Sequence, residues 1–132
     1  MDFTVKTYRK LLDSLIAQGY IFQTFVDFME NPEAKSIILR HDVDARPENS
    51  LQFARIQNES GIRGSYYFRM VPQSYNAAII REISSLGHEI GYHYETMDTC
   101  NGNVEKAREE FARNLEQLRL LAPVTKIGRA HV

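Results

Sequence analysis

Apolar positions near the start of the chain recur at the three- and four-residue spacing of an amphipathic helix. They are Tyr8, Leu11, Leu12, Leu15 and Ile16. Thr4 is placed to cap the first turn of such a helix, and Gly19 is placed to end it. The pattern therefore predicts one helix between these two residues.

The next segment, residues 20–30, is rich in aromatic side chains and leads into Asn31-Pro32. Its apolar positions do not follow a clear helical period. We expect a short strand or turn here that packs against the main body of the protein.

Three short runs with the character of buried strands follow along the chain. They are 36–39 (SIIL), 64–70 (GSYYFRM) and 88–93 (HEIGYH). Each run is too short for a helix, and each is apolar or aromatic enough to lie inside a sheet.

A helical pattern follows each of these runs. The three helices are predicted to begin at Pro47, Asn76 and Gly102-Asn103, and to end near Gly61, Gly87 and Pro123. Strands that alternate with helices predict an α/β fold built on a parallel sheet. The residues after the last helix, 124–126, resemble the beginning of a fourth strand, and we expect that strand to remain incomplete.

Composition excludes several classes of protein. The chain has 132 residues, of which 43% are hydrophobic and 25% are charged, and its formal net charge is −1. These values are typical of one globular domain and give no electrostatic basis for binding nucleic acid. We find no secretory signal and no stretch of about 20 apolar residues, so we expect a cytoplasmic protein that does not enter a membrane.

Cys100 is the only cysteine in the chain, so no disulfide can form within it. Its neighbours are polar, and we interpret it as a free thiol on a surface or loop rather than as a functional group.

Two carboxylates one residue apart, Asp42 and Asp44, follow the first apolar run. Residues i and i+2 of an extended chain point the same way, so both carboxylates are expected to face one site. Such a pair is stable when a cation is bound or when one member is protonated. The structural alternative is that Asp44 caps the helix at Pro47 while Asp42 forms an ion pair with Arg40 or Arg46.

His93 ends the third run, about fifty residues later. The carboxyl ends of parallel strands gather at one edge of the sheet, so His93 is expected to converge with Asp42 and Asp44. Carboxylate and imidazole ligands suit zinc or another first-row divalent ion. His88 begins the same strand at the opposite edge, and we expect it to make a structural hydrogen bond instead.

Three stretches in this order, RHDVD, GIRGSYYFRM and LGHEIGYHYE, resemble the polysaccharide deacetylase family (NodB homology, carbohydrate esterase family four). The branch with an HDVD-type first motif is the most similar. The resemblance covers about residues 36–123 and implies the N-terminal part of a distorted (β/α) barrel of the glycoside hydrolase/deacetylase type, incomplete in this chain. It also implies a divalent metal, with zinc expected, and hydrolysis of an acyl group, N-acetyl in the typical case, from a carbohydrate.

The resemblance assigns roles to individual residues. Asp42 matches the catalytic base, and Asp44 and His93 match metal ligands. Many members carry a second histidine four residues after the first, but Met97 occupies that position here. We expect Glu95 to replace it, with Asp98 or a residue beyond this chain as alternatives, and the later motifs of the family are absent.

Two other functions stay open. One is hydrolysis of a non-sugar amide, as in the allantoinase-like branch of the family. The other is a carbohydrate-binding or structural relative that has lost a complete set of metal ligands, which Met97 favours. The side chains of Tyr66, Tyr67 and Arg69 could line a sugar site, but aromatic strands more often belong to a core.

The last six residues of the chain, IGRAHV, match one reading frame of a common sequencing adapter. We therefore expect residues 1–126 to form the truncated deacetylase-like domain and residues 127–132 to be an artefactual tail. The alternative is that these six residues are an ordinary polar strand end. For this reason His131 is left out of the candidate site.

Overall fold

A computed structural model describes residues 4–94, 96 and 100–128. Its centre is a four-stranded, fully parallel sheet in the order β3-β4-β5-β6. The strands are β3 (Arg40–Val43), β4 (Ser65–Phe68), β5 (Glu89–His93) and β6 (Val124–Gly128). The predicted α/β fold with a parallel sheet is therefore confirmed.

Three helices connect these strands, one after each of the first three. They are α3 (Pro47–Glu59), α4 (Ala77–Ser85) and α5 (Val104–Arg119). Asn76 and Asn103 cap α4 and α5 by accepting the backbone N–H of Ile79 and of Lys106. Pro47 occupies the first turn of α3, where its missing N–H costs nothing. The predicted helix starts are confirmed.

All three helices pack on the same face of the sheet, which we call the helix-covered face. The sheet contributes Val43, Tyr66, Phe68, Ile90, Tyr92 and Val124 to the core there, and the helices contribute Leu51, Ala54, Ile80, Ile83 and Leu118. Because side chains alternate along a strand, the residues between these point the other way. The opposite face, which we call the polar face, carries Arg40, Asp42, Ser65, Tyr67, Glu89 and His93.

The N-terminal segment differs from its prediction in one place. Helix α1 (Val5–Ala17) begins after the Thr4 cap as expected. Within the aromatic segment, however, only β1 (Ile21–Phe22) is a strand, and α2 (Phe25–Glu30) is a helix. A capping box, in which Thr24 and Asp27 each accept a backbone N–H of the other, stabilises this short helix.

The first predicted strand of the main sheet is also displaced. Only Ser36–Ile37 of the apolar run is a strand (β2), and it pairs with β1 in a separate two-stranded parallel sheet. The strand that enters the main sheet is the charged RHDV stretch, Arg40–Val43. Charged residues are accommodated there because one face of the sheet is polar and only His41 and Val43 point toward the helices.

The expectation of an incomplete fourth strand is wrong. Strand β6 pairs with β5 from Val124 to Gly128, with an irregularity at Thr125. It includes Ile127 and Gly128, two residues that we assigned to the artefactual tail. The origin of residues 127–132 stays a prediction, and residues 129–132, including His131, lie outside the described residues.

In the described part of the chain, no helix combines the length and the apolar character needed to cross a bilayer.

Cys100 carries a free, partly exposed thiol as predicted, and its Sγ lies 3.8 Å from Glu110 Oε2.

A buried hydrogen-bond network ties α1 and α3 to the sheet. Gln57 on α3 is fully buried, and its amide nitrogen donates to Tyr8 Oη at 2.6 Å and pairs with His41 Nε2 at 2.8 Å. Its amide oxygen accepts from Tyr66 Oη at 2.8 Å. Since the amide nitrogen of Gln57 can only donate, Nε2 of His41 must accept, and the imidazole is neutral. The His41 ring also stacks on Tyr66, with 4.4 Å between the ring centroids.

These contacts predict that the protein loses stability in mild acid. Burial, reinforced by neighbouring His88, lowers the pKa of His41 from 6.5 to about 4, although Asp42 opposes the shift. Between these two values the unfolded chain binds a proton that the folded chain does not, so the free energy of unfolding falls as pH falls through this window. We expect a loss of about 3 kcal/mol from His41 between about pH 6.5 and pH 4.

Urea unfolding followed by circular dichroism from pH 7.5 to pH 4 measures this loss. His41→Gln keeps an oxygen that can accept from Gln57 but cannot titrate in this range, so its stability is expected to depend less on pH. Identical pH slopes for the two proteins would contradict the assignment.

Candidate functional site

The chain turns sharply between the two candidate aspartates. Asp42 lies within β3, whereas the N–H of Asp44 donates to the carbonyl oxygen of Asp42 at 3.1 Å. This i to i+2 bond makes a γ-turn centred on Val43, which is not among the described non-glycine residues with positive φ, so the turn is of the common inverse type. Asp44 therefore leaves the strand, and the simple alternation that put both carboxylates in one direction does not apply at this point.

Asp42 is engaged in an ion pair on the polar face. Arg40 Nε donates to Asp42 Oδ1 at 2.7 Å, and both side chains are about 30% exposed (31% and 29%). The Arg40 guanidinium also lies 4.2 Å from the ring centroid of Tyr67, which is almost fully buried. One half of the structural alternative, an Arg40–Asp42 pair, is thus observed. The other half is not, because Arg46 occupies the N-cap of α3 and no side chain caps that helix.

Asp44 and His93 come together from different strands. Asp44 Oδ1 lies 3.9 Å from His93 Nε2, although β4 separates their two strands in the sheet. The imidazole is buried, with 1% of its side chain exposed, and the carboxylate is 64% exposed. The predicted convergence of strand ends therefore holds for this pair.

The separation of these two atoms suits a shared metal ion. Zinc binds histidine nitrogen and carboxylate oxygen at about 2.0–2.2 Å, so two ligands of a tetrahedral ion lie roughly 3.4 Å apart. Closing 3.9 Å to that value needs a movement of about 0.5 Å, which an exposed carboxylate makes by a small rotation. An imidazole nitrogen and a carboxylate oxygen are also ligands that zinc accepts.

The third expected ligand cannot be placed. Glu95 and its alternative Asp98 lie outside the described residues, as does Met97. Among the residues that the structure describes, no group of three or more histidine, cysteine, aspartate or glutamate side chains is spaced to hold a metal.

His88 has the structural role that was predicted for it. Its Nδ1 accepts the backbone N–H of Gly64 at 2.9 Å, which leaves Nε2 protonated and donating to the carbonyl oxygen of Ala54 at 2.8 Å. Burial lowers its pKa, so the ring stays neutral. This histidine joins β4 and α3 and takes no part in the candidate site.

A small cavity lies beside His93 at the carboxyl edge of the sheet. Its volume of about 20 Å³ is room for a single water molecule. Polar side chains in its wall include Arg69, Glu110 and Asn114. Asn114 donates to Tyr92 Oη at 3.1 Å, so α5 is joined to the strand that carries His93.

Sequence reasoning missed two residues beside Asp44. Ser74 lies in the loop after β4 and hydrogen-bonds the backbone next to Asp44, and Arg69 donates to the carbonyl oxygen of Asp44. A serine in a VPQSY loop has no distinguishing pattern in the sequence. Arg69 was considered for a sugar site only, because the backbone group it binds cannot be inferred from a sequence.

Comparison of the chain with family models, with curated proteins and with solved structures found no match.

The position of Tyr67 makes Gly91 a sensitive site for substitution. A Cβ atom at Gly91 would lie 2.7 Å from two carbons of the Tyr67 ring, closer than real Cβ atoms approach. Gly91→Ala is therefore expected to displace the ring and the Arg40 guanidinium above it, at a cost of about 1–3 kcal/mol in the free energy of unfolding.

Denaturant unfolding of Gly91→Ala, Tyr67→Leu and the double variant measures this coupling. Tyr67→Leu removes the ring, so adding Gly91→Ala to it is expected to cost much less than it does alone. Purely additive effects, or a Gly91→Ala protein as stable as the wild type, would be incompatible with the close contact.

Proposed function

We propose that this protein is a metal-dependent hydrolase of the polysaccharide deacetylase type, which removes acyl groups from a carbohydrate by cleaving a carbon–nitrogen bond. The observation that carries the proposal is the 3.9 Å approach of Asp44 Oδ1 to His93 Nε2. These are the two residues that the motif resemblance assigns to one metal ion, and they come from strands that are not neighbours.

The arrangement of the sheet supports the first part of a (β/α) barrel. Its strands lie in sequential order, and all three connecting helices pack on one face. A doubly wound fold places helices on both faces, whereas a barrel keeps them on the outside and its functional groups at the carboxyl ends of the strands. Asp44 and His93 lie at that end.

The metal expected here is a divalent ion such as zinc, which when bound would polarise an acyl carbonyl and lower the pKa of a coordinated water to about 7. Asp44 and His93 would hold it, with Glu95 as the proposed third ligand. Asp42 is the proposed general base. Arg40 already holds its Oδ1, so Oδ2 is the oxygen available to accept a proton from the attacking water.

The metal site predicts that two substitutions strongly weaken zinc binding. The protein, made metal-free by dialysis against a chelator, is titrated with Zn²⁺ in competition with a chromophoric chelator. Asp44→Asn and His93→Gln are each expected to weaken zinc binding by about 100-fold or more, since even residues that only support a ligand contribute about 10- to 100-fold. Asp13→Asn, an exposed carboxylate on α1, is the matched control and is expected to bind like the wild type. Unchanged zinc affinity in Asp44→Asn and His93→Gln would refute the metal site.

The proposed base predicts a different separation of effects. Asp42→Asn is expected to retain zinc but to lower the rate of acetate release from an N-acetylglucosamine oligomer by about 10²- to 10⁴-fold. Parallel assays with allantoin distinguish the sugar substrate from a non-sugar amide. An Asp42→Asn protein with the wild-type hydrolysis rate would exclude Asp42 as the base.

A second candidate is a non-catalytic, carbohydrate-binding relative. The Arg40–Asp42 ion pair favours it, because that pairing is also what a purely structural role of Asp42 would produce. Binding of the oligomer without acetate release from the zinc-loaded protein would select this candidate.

A further inference from the structure

Ser74 is a buried serine whose hydroxyl joins two loops. It lies in the turn after β4, has no exposed surface, and its N–H donates to the carbonyl oxygen of Val71 at 3.0 Å. Its Oγ accepts the backbone N–H of Arg69 at 3.0 Å and donates to the carbonyl oxygen of Val43 in a short hydrogen bond. The hydroxyl is thus used both as donor and as acceptor, and it connects the end of β4 to the end of β3.

Arg69 makes a second connection between the same two loops. Its Nη1 donates to the carbonyl oxygen of Asp44 at 3.1 Å. In the register of the sheet, Val43 lies beside Phe68 and Phe68 beside Tyr92. Asp44, Arg69 and His93 are the residues that follow these three along the chain.

Together these bonds hold both peptide groups that flank the Cα atom of Asp44. The preceding peptide is held at Val43 O by Ser74 and at Asp44 N by the γ-turn, and the following peptide is held at Asp44 O by Arg69. When both flanking peptides are fixed, the φ and ψ angles of Asp44 are fixed, and so is the direction of its Cα–Cβ bond. The exposed carboxylate of Asp44 therefore extends from a backbone of fixed direction beside the buried imidazole of His93.

We propose that Ser74 and Arg69 are positioning residues. They hold the Asp44 carboxylate close enough to His93 for both side chains to bind one metal ion. The inference rests on the proposed metal site and adds two residues that act on it through the backbone. A productive site tolerates about 0.5 Å of misplacement, and the 3.9 Å separation already needs that much closure. Loss of either bond is therefore expected to weaken metal binding although neither side chain is an assigned ligand.

The test measures Zn²⁺ affinity by chelator competition, and the visible absorption of the Co²⁺ form, for Ser74→Ala and Arg69→Gln. Each is expected to weaken zinc binding by about tenfold or more and to alter the Co²⁺ bands, which report coordination geometry. Arg69→Lys keeps a donor and is expected to recover part of the affinity. All measurements are made where circular dichroism shows each protein to be folded, so lost stability is not read as lost affinity, and Arg69→Gln serves alone if Ser74→Ala does not fold.

Two matched controls remove similar bonds away from the site. Ser85→Ala loses a serine hydroxyl that donates to the carbonyl oxygen of Glu82, and Arg55→Gln loses an exposed ion pair with Glu82. Both are expected to bind zinc within about twofold of the wild type, because neither bond touches Asp44 or His93.

The outcomes separate the two proposals. Zinc affinity within about twofold of the wild type in Ser74→Ala and Arg69→Gln, combined with loss of binding in Asp44→Asn, overturns the positioning role and leaves the metal site standing. Unchanged binding in Asp44→Asn and His93→Gln overturns the metal site, and the positioning role with it.

Discussion

The lateral pairing of Val43, Phe68 and Tyr92 across three parallel strands is the constraint on which the rest of the structure depends. These three side chains are buried against α3, α4 and α5, so their register also sets which residues point to the opposite face. A shift of one strand by one residue would turn the apolar side chains of that strand to the opposite face and expose them. Burial of these three side chains therefore places Asp42, Tyr67 and His93 on the polar face. The packing of the core thus sets the geometry of the site.

The four histidines of the sequence illustrate how position decides the role of one side chain. His41 and His88 lie between helices and strands. A ring nitrogen of His41 bonds the buried Gln57 amide, and one of His88 bonds a backbone N–H. Burial lowers the pKa of both histidines. His93 lies at the carboxyl end of its strand beside an exposed carboxylate instead. The first two rings stabilise the fold at neutral pH, whereas the third belongs to the proposed metal site. His131 lies outside the described residues.

The two aspartates of the HDVD stretch differ in their backbone position: Asp42 lies in β3, whereas Asp44 follows the γ-turn at Val43. The γ-turn at Val43 leaves Asp42 in the strand with Arg40 and moves Asp44 toward His93. Each carboxylate has a neighbour of its own, the Arg40 guanidinium for Asp42 and the His93 imidazole for Asp44. These different surroundings fit the proposed roles of Asp42 as a base and of Asp44 as a metal ligand.

The amino-acid sequence alone was sufficient to predict the parallel α/β fold, the starts of the helices at Pro47, Asn76 and Asn103, and the Asp44–His93 convergence. These features follow from local periodicity, from capping chemistry and from the rule that the ends of parallel strands share an edge. The tertiary structure decided that the charged RHDV stretch is itself a strand, that α2 is a helix, and that Ser74 and Arg69 hold the backbone of Asp44. The charged strand and the bonds that hold Asp44 depend on partners distant in the chain, and neither a hydrogen bond to a carbonyl oxygen nor a polar sheet face leaves a periodic pattern in the sequence. The capping box of α2 is local, but a helix of 6 residues is too short to show a clear helical period.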